Sequence, residues 1–233
     1  MTDFNEARER MVESQIARRG ICNPRVLAAM RRVPREEFVA ADLREFAYDD
    51  TPLPIGNEQT ISQPAIVAAM IEAVDLRPGE RVLDVGTGSG YAAAVAAAIA
   101  GHVYSIERHA GLVDSAREIL RRLGISNVTV HHGDGTMGLA EYAPYDAIIA
   151  AAGGPHVPQA WCGQLAAGGR IVMPVGRDPH CQRLIKVVRR SEQDYERSWL
   201  GEVRFVPLVG KDGWPVEDCG ARAGDEMLPW ENR

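Results

Sequence analysis

The residues of this 233-residue chain that could do chemistry gather around one stretch, Val82-Leu83-Asp84-Val85-Gly86-Thr87-Gly88-Ser89-Gly90-Tyr91. Apolar residues around an acid lead into a glycine-rich turn, and an alanine-rich segment follows from Ala92 to Ala100. This reads as strand, tight loop and helix, the opening unit of an open α/β sheet. Glycines let the backbone approach a ligand closely and take positive φ. The helix behind the loop turns free N–H groups toward whatever sits there. Spacing narrows the ligand. A dinucleotide fingerprint reads GxGxxG, but Tyr91 stands where the third glycine would be needed, and no Lys-Ser or Lys-Thr follows to make a phosphate-binding P-loop.

Two more acids fall at expected strand ends. Glu107 lies 17 residues beyond Gly90, near the offset of roughly 20 at which an acid meets ribose hydroxyls. Its two acceptor oxygens suit a vicinal diol; the competing reading is a surface acid beside Arg108. Asp134, between Gly133 and Gly135, could accept from the exocyclic amine of adenine, or be a turn aspartate without a ligand. Asp84 is expected inside its strand and needs donors there, from the loop amides or from a cofactor's ammonium. Taken together, the set selects adenosine with a charged tail, which fits S-adenosyl-L-methionine better than NAD. Ser62 offers a hydroxyl, within Gln59-Thr60-Ile61-Ser62-Gln63-Pro64. It could be a helix N-cap contributing about 1 kcal/mol, or a group that acts on substrate.

The elements that must position these groups follow from patterning. Residues 4–20 read as an amphipathic helix closed by Gly20, a second helix starts at Asn23-Pro24 and runs through Met30, and Val33 to Phe38 begins a short third. Tyr48 to Gly56, with Pro52 and Pro54, reads as loop or extended chain. The apolar positions after Pro64 then follow the helical period to Val74. Strands are expected at 81–85, 102–106, 127–131, 145–151 and 169–174, with helices at 109–123 and 158–165 between them. This alternation implies a parallel, doubly wound sheet. Two more β-like stretches, 182–189 and 195–208 with an irregularity at Gly201, close it. Three parts are expected: an N-terminal helical and substrate-binding segment (1–75), the cofactor-binding core (76–210) and a tail (211–233) carrying Trp214, Pro215, Cys219 and Trp230.

Composition sets outer bounds. With 26 basic and 32 acidic residues, net −6, the chain gives no reason to expect nucleic acid, and Arg31-Arg32 and Arg189-Arg190 read as solvated faces. Cys22, Cys162, Cys181 and Cys219 form no CxxC pair, which argues against zinc and against a disulfide framework. His131 and His132 would point to opposite faces of a strand, and His102, His109, His156 and His180 have no ligand spacing, so no metal is expected. Without a leader or a membrane-length apolar run, a cytoplasmic location away from membranes is the expectation.

Several motifs together resemble one family. Arg19-Gly20-Ile21, Val33-Pro34-Arg35, Leu53-Pro54-Ile55-Gly56, Gln59 to Pro64, Gly86 to Tyr91, Tyr104-Ser105-Ile106-Glu107-Arg108, Gly133-Asp134-Gly135 and Val203-Arg204-Phe205-Val206-Pro207-Leu208 are similar to protein-L-isoaspartate (D-aspartate) O-methyltransferases. The resemblance implies a class I S-adenosylmethionine-dependent methyltransferase fold, Rossmann-like with an N-terminal helical extension. It implies methyl transfer from S-adenosyl-L-methionine, leaving S-adenosyl-L-homocysteine, to the free α-carboxylate of an L-isoaspartyl residue. The ester then closes to a succinimide without the enzyme, and hydrolysis returns some normal aspartate. Cofactor contacts are implied for Thr60, Ile61, Ser62, Gln63, Asp84, Gly86, Thr87, Gly88, Ser89, Gly90, Glu107, Arg108, Gly133, Asp134 and Gly135. Substrate contacts are implied for Ile55, Gly56, Thr60, Ser62, Val206, Pro207 and Leu208, with Ser62 as the catalytic hydroxyl.

The implied chemistry is modest. A carboxylate with a pKa near 4 is ionised at neutral pH and needs no general base. Isoaspartyl peptides and proteins would be the partners of a monomeric enzyme. Asn57-Glu58 and Ala151 to Pro155 depart somewhat from the family pattern. Two other readings are weighed: an aspartate O-methyltransferase for one dedicated peptide, and a non-catalytic module that binds S-adenosylmethionine or a protein.

Overall fold

The computed structural model describes residues 3–178 and 181–215; His180, Cys219, Trp230 and the rest of the expected tail lie outside them. Asp3 caps the first helix, α1 (Phe4–Met11), its Oδ1 accepting from the amides of Asn5 and Glu6. The single helix expected over 4–20 is in fact three pieces. After α1 come a π turn, Val12–Ile16, and a 3-10 turn, Ala17–Arg19, ended by Gly20 at φ 91°. α2 (Pro24–Arg32) starts where Asn23 Oδ1 accepts from the Arg25 amide. Beyond it the chain makes 3-10 turns at Arg35–Phe38 and Ala41–Phe46.

The next stretch, expected as loop or extended chain, forms a small antiparallel hairpin. β1 (Leu53–Gly56) pairs with β2 (Gln59–Ile61), Leu53 opposite Ile61 and Pro54 opposite Thr60. Its tip places Asn57 and Glu58 at φ 51° and 58°, the left-handed conformation that matches the twist of paired strands. α3 (Pro64–Val74) follows after only two residues.

The main sheet has seven strands: β3 (Arg81–Val85), β4 (His102–Glu107), β5 (Val128–His132), β6 (Tyr145–Ala150), β7 (Leu165–Asp178), β8 (Cys181–Arg189) and β9 (Tyr195–Val203). Their order is β5-β4-β3-β6-β7-β8-β9. Strands β5 to β7 are parallel, and β8 and β9 each run antiparallel to the preceding strand. Helices α4 (Tyr91–Ala97), α5 (Ala110–Arg122) and α6 (Gln159–Gln164) connect the parallel part. Strand order reverses at β3, which has β4 on one side and β6 on the other. Ligands of such sheets lie in the crevice at that point.

Two buried clusters cover the sheet. One joins Met11, Ile16, Met30 and Phe38 of the N-terminal turns to Ile71, Tyr91, Val95 and Val82, so the extension shares a core with the sheet. The other gathers Trp161, Ile148, Ile171 and Ile185. The expected β stretch 195–208 ends at Val203. The register slips between Leu184 and Ile185, opposite Gly201 and Trp199, which leaves Leu200 as an extra residue, with Gly201 at φ 144°. After Val203 the chain leaves the sheet edge, and Pro207 bridges to Gly153 beyond β6. Among the described residues no helix is long and apolar enough to cross a membrane.

Candidate active site

A cavity of about 1030 Å³ opens at the carboxyl edge of the sheet, beside β3 and β6. The glycine loop forms one wall, turning through φ 88°, 52° and 90° at Gly86, Gly88 and Gly90. At Gly88 there is a second constraint: a Cβ there would lie 3.1 Å from Ile55 Cδ1 of the hairpin. The loop is tied to β4, since the amides of Gly86 and Thr87 both donate to Ile106 O.

Glu107 completes that tie. It is only 6% exposed, so it is not the surface acid of the competing reading. Its Oε2 accepts from the Gly88 amide and its Oε1 from the His109 amide, both at 2.9 Å. A carboxylate oxygen has two acceptor sites, so one remains on each oxygen for a diol.

Asp84 is 2% exposed and lines the same wall. The sequence suggested loop amides or a ligand cation as its donors, but the donor is a hydroxyl. Ser105 Oγ donates to Asp84 Oδ2 at 2.6 Å and, with its one proton so used, accepts from Thr87 Oγ1. Ser105 stands directly opposite Asp84 in the β3–β4 register. A serine within the apolar run Val103 to Ile106 was the available signal. Burial pushes the Asp84 carboxyl up to about 7, and Glu107 adds to this while Ser105 opposes it.

Asp134 and Gly133 lie outside the residues lining the cavity, whereas Gly135 faces it. Asp134 Oδ1 accepts from the amide and hydroxyl of Thr136, and Oδ2 accepts from the Lys211 amide. Burial pushes this carboxyl up, but the Lys211 and Thr136 bonds outweigh it and hold it below its ordinary range. Arg108 is exposed at the rim, its backbone carbonyl facing His132 Nε2.

The opposite walls come from outside the parallel sheet. Thr60, Ile61, Ser62 and Gln63 face the cavity from the end of the hairpin, with Asn57, Glu58 and Gln59 at its tip. Ile55, Gly56 and Gly90 support these walls without lining the space. Ser62 is not the cap of α3. That position belongs to Gln63, and no side chain on the helix caps it. Val206, Pro207 and Leu208 form the facing wall together with Glu202 to Phe205. Gly153 fixes this segment, its amide donating to Val206 O and its carbonyl accepting from the Leu208 amide. Gln182, buried on β8, clamps Phe205 from both sides: its Oε1 accepts from the Phe205 amide and its Nε2 donates to the Phe205 carbonyl. Sequence reasoning missed Gln182, Ser105 and the rim residues Glu202 and Arg204. Among the described residues no group of acids, cysteines and histidines could hold a metal.

A family model described as protein-L-isoaspartate(D-aspartate) O-methyltransferase matches residues 6–213. The chain belongs to this family. A Rhodopseudomonas palustris (strain HaA2) relative named protein-L-isoaspartate O-methyltransferase 1 is 59% identical over 213 residues, covering 91% of this chain and 87% of the relative. A second, from R. palustris strain ATCC BAA-98 / CGA009, is 54% identical and covers 93% and 99%. Among solved methyltransferases of the family, one named protein-L-isoaspartate O-methyltransferase superposes with a TM-score of 0.81 at 32% identity, covering 88% of this chain and 67% of that one. A Plasmodium falciparum chain, named as the same enzyme and crystallised with S-adenosyl-L-homocysteine, gives a TM-score of 0.75 at 27% identity, covering 90% and 99%. The fold is thus the Rossmann-like class I methyltransferase fold, with its N-terminal helical extension.

Proposed function

We infer that this cavity carries out methyl transfer from S-adenosyl-L-methionine to the free α-carboxylate of L-isoaspartyl residues in damaged proteins. Family membership over residues 6–213 carries this reading, and the cavity geometry supports it. The two competing readings, a dedicated-peptide methyltransferase and a non-catalytic module, have no observation in their favour.

The residues present fit the cofactor. Gly86 to Ser89 offer a close-approach backbone, Glu107 keeps acceptor capacity on both oxygens, and Gly135 lines the adjoining wall. Asp134 serves this side through its turn, which sets Gly135, and Gly133 donates to Glu107 O. When bound, S-adenosyl-L-methionine supplies an electrophilic methyl on a sulfonium. The chain's own work is then orientation and exclusion of water, an effect that can reach several kcal/mol.

In this reading Ser62 donates its hydroxyl proton to one oxygen of the ionised substrate carboxylate. A neutral donor orients the carboxylate without cancelling its charge. Thr60 and Ile61 on one side, and the Val206-Pro207-Leu208 backbone on the other, hold the peptide extended, with Ile55 and Gly56 keeping the hairpin in place. We assign the enzyme a monomeric, cytoplasmic existence without nucleic-acid or membrane partners; the scattered cysteines fit a reducing compartment, and the net charge of −6 gives no reason to expect nucleic acid.

A matched peptide pair tests the reaction, one carrying isoaspartate and the other normal aspartate, with a D-aspartyl peptide as a third arm. Methyl incorporation should be confined to the isoaspartyl member, with any D-aspartyl labelling weaker. Equal labelling of the first two, or none in either while cofactor binds, would overturn the assignment.

A further inference from the structure

Between β2 and α3 only Ser62 and Gln63 intervene, so the direction of the Ser62 hydroxyl depends on what holds each side of that link. On one side Ile61 is fixed opposite Leu53 in the hairpin. On the other, α3 begins with Pro64, which has no amide proton to offer, and no side chain on the helix itself caps its first turn. A carboxylate from elsewhere meets that turn. Asp50, ahead of β1, takes the Ala65 amide on Oδ1 in a long bond of 3.4 Å, and its main-chain carbonyl accepts from Gln63 Nε2 at 2.8 Å. Its other carboxylate oxygen pairs with Arg19, and the Asp50 side chain is only 14% exposed. A negative charge at a helix N-terminus is favourable, and the Arg19 ion pair restrains the carboxylate that supplies it.

We propose that the Arg19–Asp50 pair is a positioning device for Ser62: the carboxylate takes the Ala65 amide, and the Asp50 backbone it anchors takes Gln63, so that the hydroxyl faces the cavity. This rests on the reading of Ser62 given above. Asp50 is not among the residues that line the cavity, so it acts through the geometry of the link. The fold of α3 does not depend on it, since Pro64, Ala65, Val67, Ala68, Met70, Ile71 and Val74 are buried. What Asp50 governs is the first turn. Displacement of a substrate-orienting group by about 1 Å can cost up to ~100-fold in rate.

The test is a double-mutant cycle of Asp50→Ala and Ser62→Ala, read with the isoaspartyl peptide and, separately, by S-adenosyl-L-homocysteine binding. Asp50→Ala should lower kcat/KM for the peptide by about tenfold while the cofactor-product Kd moves by less than about threefold, because the glycine loop and Glu107 have their own ties. In the Ser62→Ala background the same substitution should add almost nothing. Arg19→Gln and Asp50→Asn, which keep an acceptor at position 50, should give smaller losses in the same direction, and they carry the test if Asp50→Ala does not fold. Independent, multiplying effects of the two sites, or a lowered Tm with unchanged kcat/KM, would overturn the proposal. If Ser62→Ala alone leaves turnover intact, it is the role of Ser62 that fails, and with it the premise.

Discussion

On one side of the cavity, the glycine loop and Glu107 belong to consecutive parallel strands, and their ties run from Gly86 and Thr87 to Ile106 O and from Gly88 to Glu107. On the other side, Thr60 to Gln63 hang from a two-stranded hairpin, and Val206 to Leu208 lie beyond the last strand of the sheet. These acceptor-side segments are held by isolated contacts: Gly153 with Val206 and Leu208, Gln182 with Phe205, Asp50 with Gln63 and Ala65. The difference follows from what each side must bind. A cofactor of constant shape suits a cradle built into the sheet. A peptide with varied neighbours suits walls attached to the sheet at a few points, where one side chain can be tuned without disturbing the rest.

The contrast predicts that single substitutions separate the two bindings. The largest effect should come from Gly88→Val. A β-branched side chain there meets Ile55 and must adopt φ 52°, a conformation that costs roughly 1–2 kcal/mol before any clash. Calorimetry with S-adenosyl-L-homocysteine should show Kd raised by about 100-fold, near 3 kcal/mol; an unchanged Kd would mean the loop is not the cradle.

Gln182→Leu probes the other side. It removes both partners of Phe205, and a stranded backbone amide costs about 1–3 kcal/mol. The KM for isoaspartyl peptide should rise several-fold with cofactor-product affinity unchanged. Equal loss of both would erase the distinction between the sides.

The third prediction concerns pH and is read in stability, not in binding. Asp84 titrates at about 7 in the folded chain, against about 3.9 when unfolded. Between those values the folded state holds the extra proton, so stability is fully present below about pH 4 and falls as pH rises toward 7. Asp84→Asn cannot titrate. The difference in Tm between the parent and this variant should therefore shift against the parent from pH 4 to 7 and then level off. A constant difference would show that the carboxyl ionises normally.

Much of the sheet side was legible because local chain carries it. The spacing of Gly86, Gly88 and Gly90 and the position of Glu107 at a strand end follow from the βαβ pattern alone. The Ser105 donor to Asp84 was not, since it depends on strand register. The acceptor side was read through resemblance, and its supports stayed hidden for physical reasons. Pro52 and Pro54 suggested a loop, and Asn57-Glu58 lacks the glycine that usually marks a hairpin, yet both residues take the left-handed conformation. The apolar run from Val203 to Leu208 imitated a continuing strand. Gln182 and Gly153, each remote in sequence, draw it away from the sheet. Asp50 lies 15 residues before Ala65, and nothing in either segment announces the bond.

The segment after β9 has a consequence for the order in which the enzyme is made. Leu208 is bonded to Gly153 and Trp214, Trp214 Nε1 also reaches Gly153 O, and the Lys211 amide sits on Asp134. Synthesis delivers the N-terminal part of a chain first. A nascent chain that has emerged only to Val203 therefore has the residues of every strand of its sheet, of its glycine loop and of the Thr60–Gln63 wall, but neither the Val206–Leu208 wall nor the amide that pins the Asp134 turn. Both sides of the cavity are thus completed by one late segment, Val206 to Trp214.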